Sequence, residues 1–386
     1  MVSASPPRTP AVANTRRAST ITDLATETFE LELNEPFGIA GGSPERARIA
    51  VVKLRLADGT LGLGEAAPLA AYNGETLEQA VAAIHAAGSV LVGTDARAWR
   101  QRARELAGPT ARSASARCAL ETALVDALAR QSGWSLRDWF GGSAPGMLES
   151  DVTIPIMDGP SARRAAERWW ARGFRQLKIK VGSGQDAERV LGAHAGAPGA
   201  KLLLDANAAL SAKQACALLD RLQSEGVEVA LFEQPVAAGD WLGLEQVSRR
   251  VRIALDESVV SARDAWVAAR RIGPPHVINV KLMKSGIAEA LDIVAVARAT
   301  GMSLMIGGML ESTLAMSTSA CFASGQGGFE FVDLDTPLFL ASCPFFGGFA
   351  QEGATLDLSV LQLGHGVGLR DAGAGSRAGD GLTEQR

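Results

Sequence analysis

The sequence predicts an α/β fold, a (β/α) barrel of the TIM type preceded by a separate α+β domain. Three observations predict it. From residue 151 onward, eight short β-rich runs alternate with helical stretches at fairly even spacing, the pattern of repeated βα units. Those runs are continuously apolar, as strands buried on both faces are. Before residue 150 the order is different, with alternating strands first and helices after them, which marks an α+β unit. A chain of 386 residues has room for both.

Residues 1–20 are polar and rich in Pro and Ser, and the Arg16-Arg17 pair is followed by no apolar run. A disordered leader without an export signal is therefore expected. The first folded domain is expected over 21–150. Alternating runs at 28–34 and 47–56 suggest strands, with a glycine-bearing loop between them at 35–46. Asp58-Gly59 then leads into a third run at 60–64, a strong hairpin signal. Helical periodicity follows over 76–87, 96–106 and 113–132. The barrel is expected over 151–350, with strands at 151–156, 177–181, 202–205, 229–233, 253–256, 277–282, 303–306 and 329–335. Residues 351–371 hold a strand-like run without another repeat and are expected to return to the first domain. The Gly-rich polar tail at 372–386 is expected to be disordered.

Composition narrows the function. The formal charge is −4, with basic and acidic residues mixed along the chain, which argues against a nucleic-acid-binding face. No apolar run is long enough for a membrane span. Cys118, Cys216, Cys321 and Cys343 lie far apart without metal-ligand spacing, so reduced, buried thiols and a cytoplasmic location are expected. A small-molecule enzyme fits this balance.

Barrel active sites form at the C-terminal ends of strands, and there charged residues interrupt the apolar runs. Leu204-Asp205-Ala206-Asn207, Phe232-Glu233-Gln234-Pro235 and Leu255-Asp256-Glu257-Ser258 end three successive strands with a carboxylate each. Oxygen donors in that arrangement suit a hard cation such as Mg²⁺. One such acid alone is more often a helix cap or an ion-pair partner; three in register are harder to explain so. Strand alternation puts Lys178 and Lys180 on one face, where their mutual repulsion is expected to lower the pKa of at least one. Lys281 comes from a strand four places round the ring, hence across the site. Bases on opposite faces of one carbon are what a 1,1-proton transfer with inversion needs. Lys284 is expected to support the site from behind or to face solvent. His85, His194, His276 and His365 do not fall at suitable strand ends and are given packing or surface roles.

The set KIK, LDAN, FEQP, LDES and NVKLMKSG resembles the enolase superfamily, in its muconate-lactonizing-enzyme-like branch, over residues 21–369. The resemblance implies a capping domain on a modified (β/α)7β barrel, Mg²⁺ on Asp205, Glu233 and Asp256, and Lys178, Lys180 and Lys281 as the catalytic lysines. It also implies an enolate stabilised by the metal, a pattern for which enolases are a standing example. The run Phe331-Val332-Asp333-Leu334-Asp335, with GEAAP at 64–68 and PFFGG at 344–348, is similar to dipeptide epimerases such as those acting on L-Ala-D/L-Glu. By that resemblance Asp333 and Asp335 bind the substrate's ammonium, and Ile39, Gly308 and Met309 line the substrate pocket. The stretch Phe37-Gly38-Ile39-Ala40-Gly41-Gly42-Ser43 has no arginine for an acidic side chain, which disfavours an acidic second residue. The expected partner is a dipeptide, with no nucleic acid and no membrane; members of the superfamily often form homo-oligomers, and no interface is legible in this sequence. N-acylamino-acid racemase, o-succinylbenzoate synthase and muconate cycloisomerase remain alternatives on the same scaffold. A catalytically silent peptide-binding barrel is a more distant one.

Overall fold

A computed structural model describes residues 18–34, 38, 42, 45–142 and 146–370. Residues 1–17 of the expected leader, the tail and Ile39 therefore lie outside the described residues, whereas Thr20 at the leader's end bridges Asp95. The chain begins with an antiparallel sheet of β1 (Ile21–Glu32), β2 (Arg46–Leu56) and β3 (Leu61–Ala66), in the order β1-β2-β3. β1 starts well before the expected residue 28. Its first half shows little apolar alternation because most of its side chains are exposed, yet it pairs with β2 along its full length. The β2–β3 hairpin turns at Asp58-Gly59, where Gly59 has φ +90° and Asp58 Oδ1 accepts the Thr60 N–H at 2.9 Å.

The helices α1 (Ala70–Asn73), α2 (Leu77–Leu91), α3 (Trp99–Leu106), α4 (Ala114–Gln131) and α5 (Leu136–Trp139) follow. Thr76 caps α2 in a capping box with Gln79, and Ser113 caps α4. The central α4 is buried almost all round. It lies so close to β3 that a Cβ at Gly64 would come within 1.9 Å of the Ala119 carbonyl oxygen. The short α1, absent from the expected elements, carries Tyr72, the only tyrosine of the chain.

After β4 (Met147–Glu149) comes the barrel. Its strands are β5 (Val152–Ile154), β6 (Gln176–Lys180), β7 (Lys201–Asp205), β8 (Leu231–Glu233), β9 (Ile253–Leu255), β10 (Val277–Val280), β11 (Ser303–Ile306) and β12 (Phe329–Val332). They run parallel in sequential order. The ring closes where the Asp151 N–H donates to the Val332 carbonyl at 2.8 Å. Helices α6 (Gly159–Ala171), α7 (Asp186–Gly196), α8 (Ala212–Ser224), α9 (Trp241–Ser248), α10 (Ala262–Arg271), α11 (Leu282–Thr300) and α12 (Thr313–Gln326) follow the first seven strands. Only a 3₁₀ turn, Thr336–Phe339, follows β12, so the arrangement is (β/α)7β.

The inside of the ring is layered. Leu203, Leu231, Ala254, Val277, Met305 and Phe331 form an apolar plug of their own. Two residues further along each strand, on the same inward face, stand Asp205, Glu233, Asp256, Asn279, Gly307 and Asp333. The polar layer therefore rests on a dry floor and opens towards the C-terminal ends of the strands.

Beyond the ring, β13 (Phe345–Gly347) pairs with β16 (Val367–Leu369), and β14 (Ala350–Glu352) and β15 (Thr355–Asp357) pair with β4. Gly364 accepts the Leu136 N–H at 2.6 Å, and the His365 N–H donates to Asp126 of α4 at 3.0 Å. His365 is fully buried, and burial pulls its pKa down, in keeping with a neutral packing residue. His276 is likewise structural, its Nδ1 accepting the Ile253 N–H at 3.1 Å. Among the described residues no helix is long and apolar enough to cross a membrane.

Candidate active site

A pocket opens at the C-terminal end of the barrel, where barrel active sites form. Strands β5 and β6 supply Thr153, Lys178 and Lys180, and the residues just past β7 and β10 supply Asn207 and Lys281. The loops after β11 and β12 supply Gly308, Met309, Leu310, Asp333, Asp335 and Thr336, and Leu69 and Tyr72 enter from the first domain. Gly308 and Met309 thus lie at the pocket, together with all three lysines and both strand-eight acids.

The three strand-end acids lie just beneath, fully buried. One oxygen of each is held by a neighbour. Asp205 Oδ1 accepts the Asn207 N–H at 2.9 Å, Glu233 Oε1 accepts Asn279 Nδ2 at 2.7 Å, and Asp256 Oδ1 accepts Lys284 Nζ at 2.7 Å. The other oxygen of each faces a lysine. Lys178 Nζ lies 3.0 Å from Asp205 Oδ2 and 2.8 Å from Glu233 Oε2, and Lys281 Nζ lies 2.8 Å from Asp256 Oδ2. Lys180 Nζ is 2.7 Å from Asp205 Oδ2 and 3.1 Å from Asn207 Oδ1. Each acid therefore has one oxygen fixed by a neighbour and the other turned to a lysine, Lys178 for Asp205 and Glu233 and Lys281 for Asp256. An all-oxygen set with fixed outer partners fits a hard divalent cation.

The electrostatics run against one expectation at Lys178. Burial works to neutralise Lys178, but Asp205, Asp333 and Glu233 outweigh it and hold its pKa well above the ordinary lysine value. Lys281 is likewise raised against its burial, by Asp256 and Glu233. At Lys178 repulsion from a neighbouring lysine does not decide the matter, because three carboxylates face its nitrogen within 3.0 Å. Burial pushes the Glu233 carboxyl up to about 7 and that of Glu257 up to about 8, with Asp205 and Asp256 adding to the effect.

Lys284 does not face solvent. Its side chain is 1% exposed, and Nζ donates to Asp256 Oδ1 and to the carbonyls of Asp256, Val259 and Asn279 at 2.7–3.0 Å. Residue 284 lies in the first turn of α11, beyond the end of β10, so strand alternation did not place it. Its chain position, three residues past Lys281, was the available signal, since one helical turn returns a side chain to the same side.

On the strand-eight side, Lys178 Nζ donates to Asp333 Oδ2 at 2.6 Å and the Thr153 N–H donates to Asp335 Oδ2 at 2.5 Å. Asp151 joins them: oxygens of Asp151, Asp333 and Asp335 lie within 4.8 Å of one another. Asp151 was taken only as the start of a strand, but it immediately precedes β5, the strand that neighbours β12. Tyr72 was also missed. Its ring centroid lies 5.9 Å from Lys281 Nζ, and it sits on an element without a periodic signature.

Two family models match the chain: the mandelate racemase / muconate lactonizing enzyme N-terminal domain over residues 22–141, and the enolase C-terminal domain-like model over 161–372. An aromatic dipeptide epimerase of Herpetosiphon aurantiacus is 46% identical over 356 residues, covering 91% of this chain and 99% of its own. A hydrophobic dipeptide epimerase of Citrifermentans bemidjiense is 35% identical, with coverages of 90% and 97%. Among solved structures, the Enterococcus faecalis dipeptide epimerase complexed with Mg and L-Leu-L-Tyr superposes with a TM-score of 0.86 at 31% identity, covering 90% of this chain and 99% of that one. The chain belongs to the enolase superfamily, in the mandelate racemase and muconate lactonizing enzyme family.

Proposed function

We propose that the protein is a magnesium-dependent dipeptide epimerase that inverts the α-carbon of the second residue. The observation that carries this reading is the placement of Lys180 and Lys281 on one pocket from strands four places apart. A carbon held between them would lose its proton to one lysine and receive a proton on the opposite face from the other. Asp205, Glu233 and Asp256 would hold the magnesium. When bound, it supplies positive charge where the substrate carboxylate gains negative charge, and it offsets the carboxylates that face the lysines. Asn207, Asn279 and Lys284 keep those acids aimed. Asp333 and Asp335 face the far end of the substrate, where a dipeptide carries its ammonium group; N-acylamino acids and muconate have none there.

The second residue's side chain is proposed to be apolar or aromatic. Leu69, Tyr72, Met309 and Leu310 form that wall, and among the described lining residues no arginine is present to pair an acid. The relatives named for aromatic and hydrophobic dipeptides support this reading. The test is incubation with Mg²⁺ and a library of L,L-dipeptides in D₂O, followed by mass spectrometry. Deuterium at the second α-carbon is expected, fastest with Phe, Tyr or Leu there. No incorporation across the library would refute the reading, and faster exchange with Glu would refute the side-chain assignment.

A further inference from the structure

Asp151 is 1% exposed, and neither of its carboxylate oxygens has a hydrogen-bond partner among the described groups. A buried carboxylate without donors carries a desolvation cost that interiors ordinarily avoid by pairing it. Its backbone is firmly placed by the Asp151 N–H bond to the Val332 carbonyl, so β5 and β12 hold it against Asp333 and Asp335. Alternation puts it on the same face as Thr153, which lines the pocket.

The cluster is short of both charge and donors. Lys178 Nζ reaches Asp333, and the Thr153 peptide N–H reaches Asp335; nothing comparable reaches Asp151. Burial and Asp333 push the Asp335 carboxyl up to about 7, so the group as a whole lacks compensating charge. A primary ammonium brings one positive charge and three diverging N–H donors, one for each carboxylate. A second divalent cation is the competing occupant, since oxygens of the three acids lie within 4.8 Å of one another, and the experiment below separates the two.

We propose that Asp151 is the third carboxylate of the receptor for the substrate's terminal ammonium, so that the site counts N–H donors as well as charge. This rests on the dipeptide reading of the same pocket and extends it. A primary amine is then preferred over an N-methylated one of equal charge, and Asp151 carries part of that preference.

The experiment compares glycyl-, sarcosyl- and N,N-dimethylglycyl-L-phenylalanine, which are all cations but carry three, two and one N–H. The proteins are the wild type, Asp151→Asn and Asp151→Ser. In the wild type kcat/KM is expected to fall about tenfold or more at each methylation, the worth of one charge-assisted hydrogen bond. In Asp151→Asn, KM for the glycyl substrate should rise about tenfold while kcat stays within about threefold, and the glycyl-to-sarcosyl ratio should collapse. Burial and Asp333 push the Asp151 carboxyl well above the ordinary carboxylate range, so replacing it with a neutral amide should leave Tm unchanged or higher, and Asp151→Ser repeats the comparison if the Asn variant fails to fold. A methylation ratio that is the same in wild type and variants overturns the proposal. So does loss of a second bound Mg²⁺ equivalent in the variant, measured by calorimetry. Calorimetric Kd values for the same three peptides separate this proposal from the reaction itself. Coupled losses of affinity without wild-type turnover uphold the ammonium receptor and remove the epimerase reading, whereas no binding of any of the three removes both.

Discussion

Replacing Lys284 by Met tests whether a buried cation outside the pocket keeps the acid layer in place. The substitution removes four contacts of 2.7–3.0 Å, one to the Asp256 carboxylate and three to the carbonyls of Asp256, Val259 and Asn279. Each buried acceptor left without a donor costs about 1–3 kcal/mol. Against this stands the burial of the ammonium itself, which pulls the Lys284 pKa down despite Asp256 and whose cost is relieved in the variant. Asp256 also keeps Lys281 at 2.8 Å. The net loss expected for breaking a buried pair is about 3–5 kcal/mol, a large part of an ordinary folding stability of about 5–15 kcal/mol. At roughly 2–4 °C per kcal/mol, Tm should fall on the order of 10 °C. The assay is thermal unfolding followed by circular dichroism, first in chelator and then with increasing Mg²⁺. A ligand bound to the native state raises its stability by mass action; with Asp256 Oδ1 no longer fixed, the Mg²⁺-dependent rise should shrink in the variant. A Tm within about 2 °C of wild type, with an undiminished Mg²⁺ response, would refute the assignment.

Lys180→Ala and Lys281→Ala should each lower epimerisation by about 10²–10⁴-fold, the contribution of a positioned proton-transfer group. Each variant should still exchange slowly the α-proton of the one epimer that faces the surviving lysine. Exchange of both epimers by either variant, followed by NMR in D₂O, would remove the missing lysine from the mechanism. Glu311→Gln probes pH. Burial pushes the Glu311 carboxyl from an ordinary 4.5 up to about 8, only partly opposed by the Met309 N–H. The native state therefore holds a proton that the unfolded chain releases in that window, and the stability this gives is lost as pH rises through it. Wild-type stability relative to Glu311→Gln should fall between about pH 5 and 8, at no more than about 1.4 kcal/mol per unit; parallel denaturation curves across that range would show the assignment to be wrong. Gly64→Ala would place a methyl 1.9 Å from the Ala119 carbonyl oxygen. The overpacking should cost about 1–3 kcal/mol or more, read from the denaturant midpoint, and an unchanged midpoint would mean that β3 and α4 can separate.

The legible part of this protein follows from strand alternation. Two-residue spacing connects Leu203 to Asp205, Leu231 to Glu233, Val277 to Asn279 and Phe331 to Asp333, so a dry plug and a polar layer can be read directly from the sequence. Lys178 and Lys180 were found on one face in the same way. Residues outside strands escaped this logic. Tyr72 sits on a four-residue helix, too short to show a period, and reaches the barrel only through the packing of one domain on the other. The first half of β1 was missed because its exposed polar positions hide the alternation.

Protonation was illegible for a different reason. Two neighbouring lysines suggest mutual repulsion, and a sequence shows that pair readily. Whether the repulsion matters depends on how many carboxylates from other strands face the same nitrogens. Lys178 meets Asp205, Glu233 and Asp333 within 3.0 Å, residues 27, 55 and 155 positions later in the chain. Coulomb energy depends on distance in space and on dielectric, neither of which spacing along one strand conveys. The acids also divide into two groups that the lysines join. Asp205, Glu233 and Asp256 make one, Asp151, Asp333 and Asp335 the other, and Lys178 touches members of both. A cation arriving at either group relieves Lys178 of part of its charge partnership. Metal and substrate ammonium should therefore bind with mutual dependence, each weakening the hold of the acids on the lysine between them. The substrate carboxylate, proposed to lie where the metal supplies its charge, makes the net coupling favourable, and because coupling is reciprocal the dipeptide's affinity should rise with Mg²⁺ by the same factor that Mg²⁺ affinity rises with dipeptide.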